Sequence, residues 1–90
     1  MSPEEKRMLF QSMVSDANIV KNNTDDEGKP LPNAPLSNII AAQSRFFERT
    51  RNLQIGEHRA IQVQFEVKYP EQYEAIFAFR KWMQYKGVNL

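Results

Sequence analysis

Residues 60–69 read AIQVQFEVKY, and Pro70 follows at once. Apolar and polar side chains alternate through the whole run. As a strand, it would place Ile61, Val63, Phe65, Val67 and Tyr69 on one face and Gln62, Gln64, Glu66 and Lys68 on the other. As a helix, it would place Ile61, Phe65 and Tyr69 on one side and Ala60, Val63 and Val67 almost opposite. Such a helix would have to be buried on two sides. The alternation with β-branched and aromatic residues favours the strand. Its best partner within the chain is the short Asn52–Ile55 segment, joined to it by the GEHR turn. A lone hairpin is marginal and needs helices over its apolar face. The unequal lengths would also leave a strand edge free, and a free edge is a binding surface.

The rest of the chain reads as helix and loop. Ser2, Pro3 and Glu5 give an N-cap, a first-turn proline and a capping box. Leu9, Phe10, Met13, Val14 and Ala17 then share a helical face, which predicts a helix over about 3–20, with Met8 and Ile19 off that face. Residues 21–35, KNNTDDEGKPLPNAP, crowd Asn, Asp, Gly and Pro and predict a flexible loop. A second helix is expected over about 37–52, capped by Ser37, with Ile39, Ile40, Phe46, Phe47 and Leu53 as its apolar stripe. A last helix is expected over about 70–86, opening at Pro70 and Glu71 and ending at a Gly87 C-cap. The expected architecture is therefore α+β: a small, mostly helical single domain of three helices plus a β-hairpin near 52–69. The alternative is an all-α bundle of four helices.

Composition narrows the function classes. Lys plus Arg number 12 against 11 Asp plus Glu, a net charge of +1, where dedicated nucleic-acid binders carry a strong basic excess. There is no cysteine, so neither a disulfide nor a thiolate metal site is available. No apolar run reaches the roughly 18 residues of a membrane span, and the N-terminus lacks the hydrophobic block of a signal peptide. A cytoplasmic protein is the expectation.

Catalysis finds little support. The single histidine, His58, lies beside Glu57 in the GEHR turn. Neighbouring residues on a turn point apart, and nothing marks a nucleophile or oxyanion site. Gly28, Gly56 and Gly87 are isolated, so no phosphate loop is present. Asp25, Asp26 and Glu27 do not match a calcium loop in spacing. Neither a metal nor a cofactor is expected, and the chain is not expected to be an enzyme.

Binding finds more support. The last helix carries more aromatic residues than one buried face requires, and Tyr73, Phe77, Trp82 and Tyr85 belong to the types enriched at interface centres. With Gln62 and Gln64 on the strand's outer face, they are the expected contacts to a protein partner or to a second copy. The second class is nucleic-acid binding through Arg45, Arg49, Arg51 and Arg59, since guanidinium groups take phosphate with paired hydrogen bonds. The sequence thus describes a non-catalytic small accessory protein, a class well represented in bacteriophages and mobile elements.

Overall fold

In the computed structural model, which describes residues 1–86, the chain forms four helices: α1 (Pro3–Asn22), α2 (Leu36–Arg51), α3 (Ile55–Lys68) and α4 (Pro70–Tyr85). The described residues are an all-α bundle with no β-strand. The expected α+β architecture is therefore corrected. Residues 52–69 hold no hairpin, Asn52–Ile55 is not a partner strand, and Gln62 and Gln64 line no strand edge.

The reason lies in the run itself. Alternation also puts Ile61 and Phe65 one helical turn apart, and Val63 and Val67 one turn apart on another side. Glutamine, glutamate and lysine between them are good helix formers, and each valine or isoleucine costs only about half a kcal/mol in a helix. A helix pairs its own backbone groups, which a lone strand in so short a chain cannot do. The α3 helix starts without a side-chain cap: the carbonyl of Gln54 accepts from the His58 N–H at 2.8 Å. It stops at Tyr69, held at φ −131°, ψ 63° before Pro70, because a residue before proline is pushed out of the α region. The α4 helix begins immediately, with the Tyr73 N–H donating to the Tyr69 carbonyl at 3.0 Å.

The other helices follow their local signals more closely. The Ser2 hydroxyl accepts from the Glu5 N–H at 3.1 Å and donates to the Glu5 carboxylate at 3.0 Å. The helix then runs on to Asn22, past the expected end. At α2 the residue before the first turn is Pro35, with no side-chain cap bond, so Ser37 does not cap it. The C-cap of α4 is Lys86; the expected cap, Gly87, lies outside the described residues.

The core draws Met13, Ala17 and Val20 from α1, Ile39, Ala42 and Phe46 from α2, and Ile76, Phe79 and Met83 from α4. From α3 it draws only Ile61 and Phe65. Phe65 is fully buried and joins the helices, with its ring 6.3 Å from Phe10 of α1, 5.2 Å from Phe46 of α2 and 6.4 Å from Tyr73 of α4.

The segment between α1 and α2 has its own internal bonding. Asp25 Oδ1 accepts from the Glu27 and Lys29 N–H groups at 2.9 and 3.0 Å, and the Asp25 N–H donates to the Lys29 carbonyl at 2.8 Å. An isolated antiparallel bridge joins Thr24 and Pro30. Gly28 takes φ +83° at this turn and lies against the backbone of Ala78 and Phe79 in α4.

Candidate interaction surface

Helix α3 has two apolar sides, and the bundle uses one. Ile61 and Phe65 face the core. Val63 is 48% exposed and Val67 76% exposed on the outer side, and Ile55 at the start of the helix is 89% exposed. Val63 and Val67 border a groove of about 640 Å³ between α3 and the first turns of α1. Phe10 lies in this groove, half-buried, its ring stacked at 4° on the buried ring of Phe65. Lys6 and Arg7 of α1 and Lys68 of α3 also line it, and no carboxylate does. Glu4 pairs with Arg7 at 2.8 Å from outside the groove.

The aromatic residues of α4 go elsewhere. Tyr73 and Phe77 are half-buried with ring centroids 4.6 Å apart, and Phe77 meets Phe47 of α2 edge-on at 5.6 Å. Burial pushes the Tyr73 phenol above its usual range, with the charge of Glu66 adding to this and Arg59 opposing it. Trp82 is half-buried and stacks on Phe79, and Tyr85 alone stands out, 83% exposed, with the Lys86 ammonium 5.7 Å from its ring. The α4 helix is thus covered on more than one side, which accounts for much of its aromatic content. Gln62 is half-buried, and Gln64 is exposed and lines the α1–α3 groove.

The arginines divide. Asp16 of α1, with only 5% of its side chain exposed, meets Arg45 Nε through Oδ1 and Arg49 Nη2 through Oδ2, each at 3.1 Å. The second contact is an ion pair without hydrogen-bond alignment, and Arg49 Nε is buried without a partner. Two guanidinium groups therefore share one carboxylate. Arg51 is exposed roughly 160° around the helix from Arg49, given 3.6 residues per turn. Arg59 is exposed on α3, near enough to Tyr73 to act on its phenol. The structure brings Arg45 and Arg49 together and leaves Arg51 and Arg59 apart from them.

His58 lies in the first turn of α3, not on a loop, and its Nε2 is 3.2 Å from the hydroxyl of buried Thr50. Glu57 turns the other way, towards the N-terminal ammonium at 4.0 Å. Lys21, 2.7 Å from Glu71, holds that carboxyl below the usual range. Among the described residues, no three His, Cys, Asp or Glu side chains gather in a way that would hold a metal ion. No described helix is long and apolar enough to cross a membrane.

No family model, curated protein sequence or solved structure matches the chain. The described residues present the surface of a small helical bundle with ion pairs, aromatic clusters and an apolar groove between α1 and α3.

Proposed function

We propose that this chain is a non-catalytic interaction module that binds a protein partner through the outer side of α3 and the first turns of α1. The observation that carries this is the exposure of Val63 and Val67 beside Phe10. Valine in a surface helix gains nothing from propensity. Two valines one turn apart, next to a phenylalanine, form an apolar strip of the kind that marks contact sites. Behind this face, Phe65 packs against Phe10 of α1 and Phe46 of α2.

A photo-crosslinking amino acid placed at Val67, with a control at exposed Ser44 on α2, tests this in cells of the native source. The expected result is a protein adduct of discrete mass from position 67 and none from position 44. Equal labelling at both positions, or none at position 67, would reject the face.

A second reading is supported by the shared carboxylate. Arg45 and Arg49 together carry one positive charge beyond what Asp16 neutralises, and Arg51 adds another at the end of α2. The Arg45–Arg49 pair would take a phosphate group, with Arg51 on a separate side of the helix, and affinity would fall steeply as salt rises. Titration with single-stranded and duplex nucleic acid at two salt concentrations decides the matter, and absence of binding at low salt removes this reading.

A further inference from the structure

We propose that the groove between α1 and α3 receives an acidic amphipathic helix of a protein partner, an inference that rests on this face being the contact surface. Three features define the occupant. The floor is Phe10, already packed on the buried ring of Phe65, so the apolar base exists before anything binds. One wall is Val63 and Val67, a ridge with the spacing of one helical turn, which suits apolar residues at positions i and i+4 of a helix laid alongside. The rim is Lys6, Arg7 and Lys68, with no carboxylate among the lining residues. Glu4 engages one nitrogen of Arg7, whereas Lys6 and Lys68 take part in no ion pair among the described residues. A ligand that fills this groove must be apolar on one side and carry negative charge along its flanks.

Charge complementarity separates this occupant from the others. A second copy docked face to face would set the same cations against each other across a two-fold axis. An anionic membrane would reach Phe10, the phenylalanine of the groove, only at its floor, where it is half-buried between α1 and α3. Interfacial helices instead offer the bilayer a continuous apolar side.

The test uses the whole chain, immobilised, against a displayed library of helical peptides of about 16 residues, on the order of four turns. Apolar positions are fixed at helical spacing, and the flanking positions are randomised among Glu, Lys, Gln and Ser. The expected result is enrichment of net-acidic peptides whose binding perturbs amide signals in 3–11 and 63–69. Changing their glutamates to lysine should weaken binding by about tenfold or more, and Lys6→Glu with Lys68→Glu should weaken the acidic peptides comparably. Val63→Ser with Val67→Ser should weaken every enriched peptide while leaving the circular dichroism spectrum intact.

Several outcomes would overturn the proposal: enrichment of neutral or basic peptides, no enrichment, perturbations elsewhere, or binding to phosphatidylserine-rich vesicles in place of peptides. A dimer by light scattering with this groove shielded would overturn it as well. Adducts at position 67 together with non-acidic enriched peptides would keep the contact face and reject the acidic partner. No adducts and no enrichment would reject both.

Discussion

Gly28 is the residue the loop can least replace. Its φ of +83° disfavours any L side chain, and a Cβ there would overlap the backbone of Ala78 and Phe79. Backbone, unlike a flexible side chain, cannot move aside cheaply. Gly28→Ala should therefore lower stability by about 2–4 kcal/mol, combining the left-handed backbone cost with overpacking. Gly56 is the contrast. It lies in the first turn of α3 with nothing near the position of a Cβ, so Gly56→Ala should raise stability by about 0.5 kcal/mol through helix propensity. Urea denaturation of the two variants checks both signs.

Asp16 is a third such position. Asp16→Ala strands the two guanidinium groups it holds and should cost about 1–3 kcal/mol in the same measurement. Tyr73 links residue chemistry to pH. Its folded phenol is raised above the ordinary tyrosine value near 10, so the unfolded chain loses that proton first. The stabilisation is full below about pH 10 and is lost as pH rises through the folded value. Tyr73→Phe should flatten part of the alkaline limb of a stability-against-pH curve, and an unchanged limb would contradict the assignment.

At the scale of elements, α3 is the decisive case. If 55–68 is a helix with one side outward, Val67→Ala should leave stability unchanged or raise it by a few tenths of a kcal/mol. Phe65→Ala, two residues away, should cost about 3–5 kcal/mol, because it empties the core. On the face of a strand the two positions would point the same way, and both substitutions would be costly. Thermal denaturation of the pair separates the cases.

Helices α1, α2 and α4 are legible in the sequence because prolines and breakers mark their ends: Pro3, the loop to Pro35, and Pro70. The α3 helix is not, because period two and a two-sided helix place the same residues at positions 61, 63, 65 and 67. Only the shortage of a pairing partner separates them, and that is a property of the whole chain. The groove is still less legible. Phe10 reads as one more core residue, Lys6 and Lys68 carry no local signal, and their convergence depends on how α1 and α3 pack. The aromatic excess of α4 has a similar origin: Tyr73 and Phe77 fill a cluster between helices, which a wheel drawn for one helix does not show.

At the scale of the molecule, a net charge of +1 conceals an uneven distribution. Cations line the α1–α3 groove, whereas Asp25, Asp26, Glu71 and Glu74, with Lys21 the one cation among the lining residues, border a hollow between the loop and α4. The like-charged groove rim disfavours pairing of two copies through this face. Light scattering should give a monomer near 10.6 kDa at moderate concentration, and a stable dimer in which Val63 and Val67 are shielded would show that a second copy takes the face.

Helix α3 turns one apolar side into the bundle and leaves the other open. Paramagnetic relaxation of methyl signals by a soluble gadolinium chelate tests it most directly. The expected result is strong broadening of the Val67 methyls, partial broadening at Val63, and none at Ile61 or Ile76. Equal protection of Val67 and Ile61 in the isolated protein would contradict it.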